Sequence, residues 1–147
     1  MTYIQISNRG IIHFQGAAHI GHGTKICAHG CLVLGDEFAI SSNASIYCYK
    51  KIEFGKNCLL GWDVLVMDSD SHKIYDVDGR KFPNTKPIKV GEKVWLCYGT
   101  TVLKGAVIPN NCVIGAKSLI IGNNYRENSI IAGNPAKSIK DIKSWEI

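Results

Sequence analysis

Proline is scarce in this chain, with four in 147 residues, and no apolar run approaches the ~18 residues of a membrane-crossing segment. Charge of one sign is also thin: 17 Lys and Arg against 12 Asp and Glu leave a net +5. So small and scattered an excess argues against a nucleic-acid partner and suits a phosphorylated small molecule. Met1 to Arg9 have neither the charged start nor the apolar stretch of a secretion signal, so the expected location is cytoplasmic. The six cysteines are therefore not expected to form disulfides. Cys27-x-His29-x-Cys31 lacks the CxxC spacing and the fourth ligand of structural zinc. No metal is expected, and the thiols read as small apolar fillers.

What the chain does have is 46% hydrophobic residues, enough for one ordinary domain, and 15 glycines for tight turns. It also has a period. Counting in sixes from Val90 meets Leu96, Val102, Ile108, Ile114 and Ile120. Upstream the count runs in blocks of three: Phe14, Ile20, Ile26; Leu34, Ile40, Ile46; Phe54, Leu60, Val66. Two extra residues separate the blocks, Leu32-Val33 and Ile52-Glu53. Four residues after most of these aliphatics stands a small one, such as Val94, Thr100, Ala106, Cys112 and Ser118.

A period of six is neither the 3.6 of an α-helix nor the 2.0 of a plain strand. It fits a short strand, a bend and another short strand. Three such faces close a triangular coil of about 18 residues, and coils stack along an axis with parallel-strand hydrogen bonds between them. The expected fold is all-β: a single domain over 1–147 forming a parallel β-helix of five countable coils, regular over about 14–71 and 90–123. Residues 72–89 (HKIYDVDGRKFPNTKPIK) carry no such pattern and read as a long loop thrown out between coils, and loops of that length are usually functional. After Asn123 the repeat ends. Ile130 and Ile131 read as a last strand, Gly133-Asn134-Pro135 as a turn, and the apolar spacing at Ile139, Ile142 and Trp145 as a short capping helix.

The run VGEKVWLCYGTTVLKGAVIPNNCVIGAKSLI, closing in NSIIAGNPAKSIK, resembles the hexapeptide-repeat acyltransferases over about residues 14–140. The resemblance is most specific at Val94-Trp95 and at Ala132-Gly133-Asn134-Pro135-Ala136. Met67-Asp68-Ser69-Asp70-Ser71-His72 is similar to the sugar O-acetyltransferase branch, in which a histidine opens the loop between coils. The resemblance implies a left-handed β-helix, a homotrimer, acetyl-CoA as cosubstrate and a sugar hydroxyl acceptor, as in surface polysaccharide assembly.

Site residues follow. Acetyl transfer from a thioester needs a base of near-neutral pKa, and His72 stands where the last upstream coil meets the loop. Asp68 and Asp70 precede it at steps of two. Asp70 is the candidate to orient the imidazole, and Asp68 the candidate to hold sugar hydroxyls. Asn43 resembles the acceptor-binding asparagine of the branch. For the cofactor, Trp95 offers an apolar wall. Tyr98, Gly99 and Ala116 match groove positions, and Lys137 and Lys140 match the phosphate end. His13, His19, His22 and His29 read as exposed bend residues.

The expected reaction is direct transfer through a ternary complex, with the oxyanion stabilised by a backbone amide. Three alternatives stand beside it. One is N-acetylation of an amino sugar. A second is a γ-type carbonic anhydrase, whose close histidine pair stands five apart while His22 and His29 stand seven apart. The third is a non-catalytic β-helix used as a scaffold.

Overall fold

The computed structural model describes residues 1–7 and 9–147. Among them there is strand and no helix, so none is long and apolar enough to cross a membrane. The described residues wind through six turns. The first is β1 (Tyr3–Ile6), β2 (Ile11–Phe14) and β3 (Ala18–Ile20). The second is β4 (Lys25–Ala28), β5 (Cys31–Leu34) and β6 (Phe38–Ile40), and the third is β7 (Ser45–Cys48), β8 (Lys51–Phe54) and β9 (Leu59–Leu60). The fourth is β10 (Leu65–Met67), β11 (Ile88–Val90) and β12 (Trp95–Leu96), and the fifth is β13 (Thr101–Leu103), β14 (Val107–Ile108) and β15 (Val113–Ile114). The sixth keeps β16 (Leu119–Ile120) and β17 (Ser129–Gly133), and β18 (Ala136–Asp141) follows. The fold is the parallel β-helix expected from the period, with the left hand that the resemblance implied.

Three sheets form the three faces. The first is β1-β4-β7-β10-β13-β16, the second β14-β11-β8-β5-β2, and the third β18-β17-β15-β12-β9-β6-β3. The residues counted in sixes are their stacked inner columns. Ile26, Ile46, Val66, Val102 and Ile120 are register partners up the first face. Ile40, Leu60, Leu96, Ile114 and Ile131 are partners up the third. All of these are buried. The extra pairs Leu32-Val33 and Ile52-Glu53 lie within second-face strands, where Leu32, Ile52 and Ile88 add a buried column.

The corners share a backbone device. Gly23, Asn43, Asp63, Gly99 and Lys117 all have φ between 56° and 74°, and they mark the passage from third face to first in successive turns. Glu37, Asn57, Lys93, Asn111 and Asn128 do the same between second and third faces. Asn, Asp and Gly suit this left-handed region.

Four sequence expectations are corrected. Six turns are present, and regular structure begins at Tyr3, ahead of residue 14. The first turn pairs Tyr3 with Lys25 but Ile11 with Cys31, and this two-residue change of register hides it from the count. Ile4, Ile6 and Phe14 belong to the inner columns, yet remain about half exposed because only one neighbouring turn covers them. The loop departs at Asp68 and returns at Lys86, ahead of Ile88, which pairs with Ile52 and is buried in β11. It is a hairpin-like arm, with antiparallel bridges Ser69–Thr85 and Tyr75–Lys81 and a tip at Asp76 whose Oδ1 accepts from the Asp78 and Arg80 amides.

The fourth correction concerns the cap. Residues 136–141 form a strand antiparallel to β17, with no helix. The Gly133–Pro135 turn reverses the chain onto the free edge of β17, whose amides and carbonyls need partners that a helix could not supply. The tail beyond it is a strap. Ile142 N donates to Asn128 O (2.8 Å), Asn111 Nδ2 to Lys143 O (2.9 Å) and Lys93 Nζ to Ser144 Oγ (2.7 Å).

Candidate active site

His72 lies near the base of the arm, at the corner between first and second faces, and is exposed. The backbone that carries it is tightly held. Asp70 N donates to Asn84 O (2.8 Å), Ser71 N to Ser69 Oγ (3.0 Å) and His72 N to Asp70 O (2.7 Å). Ser71 takes a φ of 64°, which aims His72 outward.

The two aspartates do not serve the imidazole side by side. Asp70 is ion-paired with Lys104, whose Nζ also donates to Pro83 O (2.9 Å). Lys104 ties the outgoing and returning strands of the arm, and sequence reasoning missed it. Its partner is 34 residues away, and no local spacing marks such a pair. Asp68 is fully buried, and its carboxylate accepts from Tyr49 N (2.7 Å), Lys50 N (2.8 Å) and Lys51 N (2.8 Å). Buried and occupied in this way, it has no free face for sugar hydroxyls, which corrects its reading as an acceptor ligand.

The other site candidates gather elsewhere. Asn43, Tyr98, Gly99 and Ala116 lie along the corner from third face to first. Tyr98 is 44% exposed, and the Lys117 ammonium sits 4.5 Å from its ring centroid. A cation so placed is attracted by the ring's negative face. Lys117 was not among the sequence candidates, although it shares Gly99's place one turn on. Gly99 and Ala116 keep this corner low. A Cβ at Gly99 would meet the Lys117 side chain at 2.8 Å. Asn43 is exposed at φ 60°, a turn residue by conformation.

Trp95 is half-buried on the third face, three residues before Tyr98. Its ring lies 5.9 Å from that of Trp145, tilted by 41°. Trp145 Nε1 donates to Lys93 O (2.7 Å), so the strap partly covers the expected cofactor wall. Lys137 lines an open recess of about 720 Å³ at the C-terminal end, with Pro135, Tyr125 and Arg126. Arg126 is already paired with Asp141 at 3.0 Å. Lys140 is exposed opposite Ile130.

Within one chain, then, His72 stands at one edge of the first face, and Asn43, Tyr98, Gly99 and Ala116 stand at the other. Strand β10 separates the two corners. The outward side chains of that face include Tyr47, Leu65, Met67 and Leu103, all half-buried. The second face by contrast shows Lys51, Glu53 and Lys89, with Lys51 and Glu53 paired at 3.2 Å.

Four of the six thiols are not poised as nucleophiles. Burial, helped by the Asp68 charge, pushes Cys48 up to about 12, and burial pushes Cys58 up to about 11. Cys97 and Cys112 are raised by burial as well. A thiol held protonated is a poor attacking group. His29, in the cluster that resembled a metal site, stacks on Tyr49 with ring centroids 5.0 Å apart.

A left-handed solenoid with a histidine-bearing arm at one corner and a low, small-residue surface at another defines a class, and comparison with known proteins gives the family. No family model matches the chain. WbbJ of Escherichia coli K12, assigned as an O-acetyl transferase of lipopolysaccharide biosynthesis, is 30% identical over 156 residues, covering 96% of this chain and 79% of its own. The chain therefore belongs to the hexapeptide-repeat acetyltransferases. It spans only 44% of another relative, Rv3034c of Mycobacterium tuberculosis, at 31% identity over 133 residues. Among solved structures, the polysialic-acid-specific acetyltransferase NeuO superposes with a TM-score of 0.84 at 24% identity, covering 92% of this chain and 63% of NeuO. The hexapeptide-repeat acetyltransferase VCA0836 of Vibrio cholerae, complexed with acetyl coenzyme A, gives 0.67 at 21% identity, covering 86% and 72%. At these identities the superpositions speak for the fold.

Proposed function

We infer that this protein transfers an acetyl group from acetyl-CoA to a hydroxyl of a sugar in surface polysaccharide assembly. Acetyl-CoA lies along the corner of Tyr98, Gly99 and Ala116, with its phosphates toward Lys137 and Lys140. His72 takes the proton of the acceptor hydroxyl as that oxygen attacks the thioester carbonyl. The tetrahedral oxyanion rests on a backbone amide, and the coenzyme A thiolate leaves, taking a proton from the imidazolium. No acyl-enzyme forms, in keeping with the raised thiol pKa values.

The separation of His72 from the cofactor corner carries the assembly reading. A site needs both, and one chain presents them at opposite edges of a face. A closed homotrimer joins the arm of one copy to the cofactor corner of the next and hides the apolar first face, as closed symmetry does. Asn43, on the cofactor corner, is then the acceptor contact.

The test is an acceptor screen that reads coenzyme A release, over sugars with and without amino groups, with His72→Ala beside the native protein. Release that needs a hydroxyl acceptor and His72 supports the reading. Release only with amino sugars moves the activity to N-acetylation, and release unchanged in His72→Ala removes the histidine base.

A further inference from the structure

The corner that carries the arm has a bonding problem, and one side chain solves it. In the turn before, the corner amides of His29 and Gly30 donate to Cys48 O at 2.8 and 3.0 Å, and Cys31 N donates to Lys50 O at 3.1 Å. Those acceptors belong to the corner of the next turn, 20 residues on in register. The equivalent donors one turn later are Tyr49, Lys50 and Lys51. Their acceptors should come from the corner after β10. There the chain leaves the solenoid at Asp68 and does not return until Lys86, so that corner is missing.

Asp68 replaces it. Oδ1 accepts from Tyr49 N, and Oδ2 from both Lys50 N and Lys51 N, all within 2.8 Å. Its own carbonyl accepts from Lys86 N (3.1 Å), which closes the neck where the arm returns, and Gly105 N of the next turn donates to Lys86 O (3.3 Å). A fully buried carboxylate would be costly without such donors, and three amides would be left unsatisfied without the carboxylate. Lys104, from the turn above, fastens the same neck from outside through Asp70 and Pro83. Only Ser69 separates Asp68 from Asp70, and His72 follows two residues later, with the amides of Asp70, Ser71 and His72 all bonded.

We propose that Asp68 is a positioning residue for acetyl transfer: its carboxylate stands in for the missing corner of the β-helix and sets the direction in which the arm, and so His72, leaves the solenoid. Lys104 is the second anchor of the same device. Neither touches the reacting atoms. The proposal rests on the reading of His72 as the base. It accounts for an aspartate four residues before the histidine that is neither on the imidazole nor open to a sugar.

The experiment pairs kinetics with hydrogen exchange on Asp68→Asn and, in case that protein folds poorly, Lys104→Met. Asn keeps the shape of Asp but offers one oxygen acceptor where the three amides use two, and it turns an N–H toward them. The expected result is faster exchange of amides 69–86, with the coils otherwise protected as in the native protein. Turnover should fall about 10–100-fold, since displacement of a catalytic group by about 1 Å costs that much. The KM for acetyl-CoA should stay within about twofold, because none of the residues assigned to the cofactor, Tyr98, Gly99, Ala116, Lys137 and Lys140, belongs to the arm. A purely structural role would lower the melting point without this split between kcat and KM. Native exchange over 69–86 in both variants overturns the proposal. So does a loosened arm with native turnover while His72→Ala is inactive. If His72→Ala itself turns over normally, the base reading fails separately, and the exchange data still decide whether Asp68 holds the arm.

Discussion

Trp145 lies against Trp95, ring centroids 5.9 Å apart, and its indole N–H is bound to Lys93 O. Fifty residues of sequence separate the two rings, and Trp145 also lines a groove of about 480 Å³ with Ala39, Leu59 and Asn57. Trp145→Ala removes the aromatic contact and one hydrogen bond. The expected loss is about 1–2 kcal/mol, seen as a fall in melting temperature of roughly 3–6 °C. If Trp95 is the cofactor wall, uncovering it also changes the KM for acetyl-CoA at temperatures where the variant is fully folded. An unchanged KM takes Trp95 out of the cofactor site.

A site shared between copies has a direct signature. His72→Ala should lower turnover by about 10²–10⁴-fold while leaving the fold intact, since the side chain is exposed. Ala116→Trp, also at an exposed position, should block the cofactor corner. If the proposed trimer forms, unfolding and refolding the two inactive proteins together should restore part of the activity, because mixed trimers would contain native arm–corner pairs. Activity that stays at the level of the separate variants places the whole site in one chain.

Replacing Lys137 and Lys140 with Ala should raise the KM for acetyl-CoA about tenfold with kcat nearly unchanged, because a remote phosphate contact is equal in ground and transition states. Lys137 should carry the larger share, since it lines the C-terminal recess. Raising the salt should shrink the effect. An equal and salt-independent loss in both single variants would point to damage in β18 instead.

The buried thiols predict an alkaline limit. Cys58 ionises at about 11 and Cys48 at about 12 in the folded chain, against 9.0 for a free thiol. Between pH 9 and 11 the unfolded chain loses these protons and the folded chain keeps them. Stability is therefore full below about pH 9 and falls as pH rises, by up to about 1.4 kcal/mol per unit for each thiol. Denaturant melts from pH 8 to 10.5 should show a shallower slope in Cys58→Ala than in the native protein. Parallel slopes would mean that this thiol ionises as freely folded as unfolded.

Much of this molecule is written locally. The period of six places Ile26, Leu60, Val102 and Ile114 inward, because an inner column needs an aliphatic side chain at every strand whatever lies above it. The break in that period marks the arm, and the histidine at its base is visible as the first residue without a place in the count. Other features depend on which turns stack. Asp68 reads as polar and solvent-facing until the amides 17–19 residues before it arrive beneath it. Asp70 reads as a partner for His72 until Lys104 reaches it across the arm. The spacing of Ile139, Ile142 and Trp145 suits a helix in isolation, yet the open edge of β17 captures the first as strand and Trp95 captures the last as a strap. Inside or outside is settled by alternation along one strand, which the sequence carries. Which partner a polar or terminal residue meets is settled by the register between turns, which exists only once the solenoid has closed.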